Sequence, residues 1–451
     1  MKQPTPPEPA PPATATPPLP PTPVESFSPP EQATAEPSAP PPRLITTPRD
    51  TPVRLITSQA GLQAFIAALD PTAPVAVDTE RAQGFRYSSK AYLIQFRQAA
   101  CGTYLLDPVA LAPAGELADL SPLSDALAGC EWVLHAASQD LPCLAEVGLV
   151  PQHLFDTELA GRLLNIERVS LSPMLTHYLG LELAKAHSAD DWSRRPLPDA
   201  WLVYAALDVD FLIELRDAVA ADLTAAGKMT WAEQEFADAL ARFAISPAAD
   251  PQRWRHIKGL GRLRQPRQLA VARNLWQVRD ELARQVDTAP GRILNDAALV
   301  GAAIALANLS PAQVPAALTT LDGFTGPLAK RRRRRWAEAV TDALQEDANS
   351  LPQRRRNQAT PLPRLWEQAN PQAAKRWAAA RPAILALAEA NNLPPENLMT
   401  VSTLADVLWP DDLDTSPAGL RQALVAAQVR PWQCDLIVPV LADALNNITA
   451  S

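Results

Sequence analysis

In the first half of the chain, apolar residues fall into short runs bounded by turn-forming residues; in the second half they recur at helical spacing. Leu55-Ile56, then Leu62, Phe65, Ile66 and Leu69, predict a strand followed by a helix. Pro74-Val75-Ala76-Val77 reads as a short buried strand, Ala91-Tyr92-Leu93-Ile94-Gln95-Phe96 as a second and Thr103-Tyr104-Leu105-Leu106 as a third, with a turn at Cys101-Gly102. Pro122 to Leu127 predicts a helix, and Glu131-Trp132-Val133-Leu134-His135 a fourth strand. Helices are then expected over Asp140 to Val147, Leu154 to Leu164 and residues 199–223. Strands first, then strand and helix in alternation, predict an α/β domain with a mixed sheet.

Beyond about residue 250 the strand pattern stops. Leu269, Ala272, Leu275, Trp276, Arg279 and Leu282 share a helix face, and later helices are expected to start near Asp296, Pro311 and Pro327. Pro352, Pro361 and Pro363 break the chain before a second helical stretch over about 364–449. Residues 1–42 are mostly Pro, Ala, Thr and Glu; with almost no large apolar side chains they read as a disordered, partly polyproline tail acting as a solvated tether.

The net charge of −8 conceals an uneven distribution. Residues 75–225 carry 21 acids against 10 Lys or Arg, and residues 251–382 carry 10 acids against 23 Lys or Arg. A polyanion would be gripped by the second block and would need cations to approach the first. Lys330 with Arg331, Arg332, Arg333, Arg334 and Arg335 forms one basic run and Arg354–Arg356 another, although six consecutive charges cannot share one side of a helix. Trp254, Trp276 and Trp336 stand at helical spacing and are expected in the core. Cys101, Cys130, Cys143 and Cys434 show no paired metal spacing and read as free thiols. No run approaches the ~20 apolar residues of a membrane span, and the N-terminus lacks a signal-peptide layout, so a cytoplasmic protein with no membrane association is expected.

Against that background a few acids stand out. Asp78 and Glu80 are two apart at the end of an apparently central strand, so both leave one face of the sheet. Asp140 follows the fourth strand, where it can cap a helix or, as strand ends in open sheets gather ligands, bind a metal. Asp156 reads as a helix cap. Tyr204 and Asp208 stand at i and i+4 on one helix face. Four carboxylates brought to one point repel and raise one another's pKa. A pair of divalent cations resolves that conflict, and beside a tyrosine it points to phosphodiester hydrolysis.

These motifs, in this order, resemble the DEDD superfamily of 3′→5′ exonucleases, in the subclass with tyrosine in its last motif and within it the ribonuclease D family. Val77-Asp78-Thr79-Glu80 resembles the first motif, Leu93-Ile94-Gln95 the following strand, and His135-Ala136-Ala137-Ser138-Gln139-Asp140-Leu141 the second motif. Asp191-Trp192, Arg195-Pro196-Leu197 and Tyr204-Ala205-Ala206-Leu207-Asp208 resemble the third. The likeness covers about residues 52–230, with Trp201 where relatives often carry glutamine and Ala82-Gln83-Gly84 in place of a more apolar stretch. Trp254, Ile257-Lys258-Gly259-Leu260-Gly261, Ala270-Val271-Ala272-Arg273 and Arg279 look like an HRDC domain, and the whole arrangement looks most like the form found in actinobacteria.

The resemblance implies a ribonuclease H-like mixed-sheet exonuclease domain over 43–240, an all-α HRDC domain over 250–345 and a second helical, weakly HRDC-like domain over 360–451. It implies an exoribonuclease that takes RNA with a free 3′ end, tRNA precursors foremost, releases nucleoside 5′-monophosphates and needs no obligate protein partner. It further implies two Mg²⁺ or Mn²⁺ ions, with Asp78 bridging both, Glu80 and Asp208 completing the first site and Asp140 holding the second. Tyr204 would orient the attacking water. Thr79, Lys258, Arg331, Arg332 and Arg333 are the candidate RNA contacts. The same five catalytic residues would serve a DNA 3′→5′ exonuclease, and a catalytically silent RNA-binding adaptor is the reading from another class.

Overall fold

The computed structural model describes residues 41–113, 116–184, 189–245, 250–353 and 360–449; the tail through residue 40 and the Arg354–Arg356 run lie outside them. Its strands are β1 (Arg43–Ile45), β2 (Arg54–Ile56), β3 (Val75–Arg81), β4 (Ala91–Gln98), β5 (Gly102–Leu106), β6 (Glu131–Leu134), β7 (His153–Asp156) and β8 (Leu181–Leu183). Six form one sheet in the order β2-β5-β4-β3-β6-β7, and β1 pairs with β8. Strand β4 runs antiparallel to β3 and β5, whereas β2–β5, β3–β6 and β6–β7 are parallel. The short turn from Gln98 to Gly102 can join only antiparallel neighbours, while β3 and β6, far apart in sequence, are free to run parallel. Nearly every residue of β4 is buried, as expected of a strand covered on both faces.

Two sequence expectations change. The segment Leu154–Leu164 is not one helix: His153–Asp156 is a parallel strand beside β6, and the helix begins at Thr157. Asp156 ends the strand and caps that helix, accepting from the Glu158 and Leu159 amides at 2.9 and 3.2 Å. So short an apolar run directly before a helix has no period that separates the two. The stretch 199–223 is likewise two helices, Asp199–Asp210 and Leu212–Ala225, divided at Phe211.

The helical second half has two destinations. Residues 254–343 close a core of their own around Trp254, Leu269, Leu275, Val300, Trp336 and Val340, so Trp254 and Trp336 are core residues, while Trp276 is partly buried against that core. Residues from Trp366 onward instead share one continuous core with the sheet domain. Trp432 stacks on Trp231 with ring centroids 4.7 Å apart, and its indole N–H donates to Glu235 at 2.9 Å. Arg430 reaches Glu235 and Asp238 at 3.0 and 2.7 Å, and the buried Lys228 ammonium donates to the carbonyls of Leu163 and Asn392. The chain thus leaves the sheet domain, builds an independent helical domain and returns.

Candidate active site

Strand β3 places the first two acids. Asp78 and Glu80 project from one face, Val77 and Thr79 from the other. Pairing with β6 stops at Ala76, so the acid-bearing end of β3 is paired only with β4. The C-terminal ends of the parallel strands β3 and β6 open at this point, where ligands gather in such sheets.

The helix Asp199–Asp210 crosses the same face. Trp201, Ala205 and Ala206 pack on Ala82, Leu93 and Leu105, which turns Tyr204 and Asp208 toward β3. Ion pairs fix both ends of this element. Ahead of it, Arg195 grips Asp107 at 2.7 and 2.8 Å with two nitrogens and donates to the Tyr92 carbonyl. At its last turn the fully buried Asp210 meets Arg97 of β4 at 3.3 Å and accepts from the Arg49 amide at 3.0 Å. Asp208 lies two residues before that anchor.

Asp140 arrives by a third route. After β6 the chain turns at Ala136, whose φ of 62° is left-handed, and passes through a short 3₁₀ turn to Asp140. The buried Asp156 carboxylate accepts from the Ala136 and Ala137 amides at 3.1 and 2.8 Å and so holds the turn open. The Asp140 carboxylate caps no helix N–H; it accepts from the Thr79 hydroxyl at 2.6 Å. Thr79 is therefore buried beneath the acids with its side chain engaged, and Cys143 approaches the same hydroxyl at 3.4 Å.

The outcome is a tight acidic cluster. One carboxylate oxygen each from Asp78, Glu80 and Asp208 lie within 4.8 Å of one another; Asp140, bonded to Thr79, is not one of that trio, although its charge acts on Asp78 and Glu80. Burial is the first cause of every shift here. It pushes Asp78 well above the usual carboxylate range, with the charges of Asp140 and Asp208 adding to it. Glu80 is pushed up to about 10 by burial and then by Asp78, Asp208 and Asp140. Asp208 rises to about 7, opposed by the hydrogen bond from Tyr204, and Asp140 rises to about 6, opposed by the Thr79 hydroxyl and the charge of Arg81. Burial and then the Asp208 and Glu80 charges raise Tyr204 above its ordinary value, so the phenol keeps its proton. An all-oxygen donor set, crowded and short of positive charge, fits a hard divalent cation.

The helical domain touches this region through the loop after β3. Tyr87 donates to Asp280 at 3.0 Å, the Tyr87 and Ser88 amides donate to Asp287 at 3.1 Å, and Arg292 donates to the Gly84 carbonyl at 2.6 Å. Ala82-Gln83-Gly84, the stretch that departs from the family pattern, thus lies next to a domain interface. Among the candidate RNA contacts, Lys258 and Arg331 are exposed while Arg332 and Arg333 are partly buried. The basic run spans a break between the helices Pro327–Arg331 and Arg333–Gln345, and its last two members pair with Glu338 and Glu281. Sequence reading missed Asp156 and Arg81 as parts of the site. Arg81 was legible from adjacency to Glu80; the second task of Asp156 was hidden because a cap already explained it.

Three family models match the chain: "3′-5′ exonuclease" over residues 53–224, "HRDC domain" over 268–340 and "3′ to 5′ exonuclease C-terminal domain" over 359–445. The class is therefore a 3′-5′ exonuclease domain joined to an HRDC domain. Ribonuclease D of Jannaschia sp. (strain CCS1) is 33% identical over 244 residues, covering 53% of this chain and 62% of that protein. Ribonuclease D of Zymomonas mobilis is 31% identical over 310 residues, covering 65% of this chain and 74% of that protein. The chain belongs to the ribonuclease D family. It spans 59–62% of the length of several curated relatives it matches. A solved protein from Bifidobacterium adolescentis is 32% identical with a TM-score of 0.79, covering 90% of this chain and all of that one. Escherichia coli RNase D, at 23% identity, shares the fold with a TM-score of 0.63 over 88% of this chain and 99% of that one. Among the described residues no helix is long and apolar enough to cross a membrane.

Proposed function

We propose that this chain is a metal-dependent 3′→5′ exoribonuclease that hydrolyses phosphodiester bonds from RNA 3′ ends and releases nucleoside 5′-monophosphates, with tRNA precursors or other stable RNAs as substrates. The observation that carries the reading is the trio of Asp78, Glu80 and Asp208 oxygens within 4.8 Å of one another, with the Tyr204 phenol hydrogen-bonded to Asp208. Asp78, Glu80 and Asp208 would hold one Mg²⁺ or Mn²⁺ and Asp78 with Asp140 a second; when bound, such a pair supplies hydroxide near neutral pH and neutralises charge on the attacked phosphate. The protein groups have separate tasks. Thr79 fixes the Asp140 carboxylate. Tyr204, protonated, orients a water by hydrogen bonding without acting as a base. The ion pairs at Asp107 and Asp210 keep the Tyr204 helix in register with β3.

The test is one incubation of 3′-end-available and 3′-blocked RNA, each with Mg²⁺ and with chelator, alongside a DNA oligomer of the same sequence. Mononucleotide release from the open RNA in Mg²⁺ alone is expected. Equal or faster degradation of DNA would shift the reading to a DNA exonuclease, and no release from either strand would leave a binding protein.

Exposed Lys258 and the basic run would add backbone affinity. Changing Arg331, Arg332 and Arg333 together to Gln is expected to weaken RNA binding and to lower the slope of log affinity against log salt by about 2, since each single-strand phosphate contact contributes roughly 0.7. An unchanged slope in a filter-binding series would show that the run is a solvated surface.

A further inference from the structure

Gln95 carries an unexplained polar group. It lies on β4 directly across from Asp78 and, on its other side, in register with Leu105 of β5. Residues directly opposed in an antiparallel pair share a face, with Cβ atoms roughly 4.5–5.5 Å apart. The Gln95 side chain therefore leaves the sheet on the Asp78 and Glu80 side, beneath the Asp199–Asp210 helix. It is fully buried, and among the described residues neither its Nε2 nor its Oε1 has a hydrogen-bond partner. Its neighbours two residues away on the same face give it none: Leu93 is apolar, and Arg97 is committed to Asp50 and Asp210. The overlying Ala205 and Ala206 are apolar as well.

A buried amide left unsatisfied is destabilising, so methionine or leucine would be the better residue if packing were the only task. Asp78 is the polar group in register with it.

We propose that Gln95 is a positioning residue, its Nε2 donating to the Asp78 carboxylate and orienting it for the divalent cation; this rests on the exonuclease reading above. An amide N–H is a suitable donor to a carboxylate oxygen, and Asp78 is the carboxylate directly across the strand pair from it. That bond is not made in this structure, where both polar atoms of the amide are without a partner among the described residues. Holding the bridging carboxylate in one orientation lowers the cost of assembling the site. Such outer hydrogen bonds typically change metal affinity 10–100-fold.

The experiment measures Mn²⁺ binding to the full chain by calorimetry or spin resonance, for wild type, Gln95→Met and Gln95→Leu, together with the melting temperature of each without metal. Both variants are expected to bind Mn²⁺ about 10-fold more weakly while melting no lower than wild type when metal-free. Hydrolysis should fall at limiting Mg²⁺ and recover to near the wild-type rate at saturation. Should either folded variant bind Mn²⁺ as tightly as wild type, the amide is only a packing defect and the proposal is overturned. Wild-type protein that does not bind Mn²⁺ would overturn the exonuclease reading too, so the two failures are distinguishable.

Discussion

Asp78→Asn is expected to reduce RNA hydrolysis by about 10⁴-fold or more, roughly 5.5 kcal/mol of transition-state stabilisation, while the fold survives. The substitution is nearly isosteric, and the hydrogen bond the carboxylate accepts from the Thr79 amide can be kept by the asparagine oxygen. What it removes is one of the three clustered carboxylates, the one that would serve both cations. The same change relieves a buried, repelled carboxylate, so the metal-free variant should melt at or above the wild-type temperature. Residual activity, matched folding and metal-induced stabilisation are read on one preparation. Hydrolysis within tenfold of wild type, in a variant of unchanged circular dichroism, would falsify the assignment of Asp78.

How much of this was legible beforehand follows from the range of each interaction. Asp78 and Glu80 share a face because side chains alternate along a strand, and Tyr204 and Asp208 because a helix repeats every 3.6 residues; both periods are local and readable. The environment of Asp140 was not. Its position depends on Ala136 turning left-handed and on Asp156, from the next strand, holding the Ala136 and Ala137 amides. Nor could the clamps at Arg195–Asp107 and Arg97–Asp210 be found, because a lone charge carries no period and its partner lies some 90 to 110 residues away.

The helical second half shows the same limit. Apolar spacing states that a helix face is covered, not by what. The segment from Trp366 onward reads as a second helical domain, and its core is continuous with the sheet domain through Trp432 on Trp231. Trp254 and Trp336, by contrast, close a separate core. The contrast comes from pairings between distant positions, which one sequence does not record.

The metal-free protein should lose stability as pH rises from about 5 to about 9, and Mg²⁺ should reverse the loss. In the unfolded chain the four acids ionise near their ordinary values, about 4. In the folded protein they hold protons longer: Asp140 to about 6, Asp208 to about 7, Glu80 to about 10, with Asp78 also raised. Between those limits the folded state binds more protons than the unfolded one, and stability falls with pH wherever that is so. The contribution is whole below about pH 4 and is lost stepwise as each folded value is passed. Cation binding needs the ionised forms, so it competes with those protons and tightens as they leave. At about 100 times its dissociation constant, a cation that binds only the folded state adds about 2.7 kcal/mol. The gap between melting temperatures with and without Mg²⁺ should therefore widen steadily over this range in wild type and shrink in Asp78→Asn. A gap that stays constant with pH would mean that these four side chains do not form the cation site.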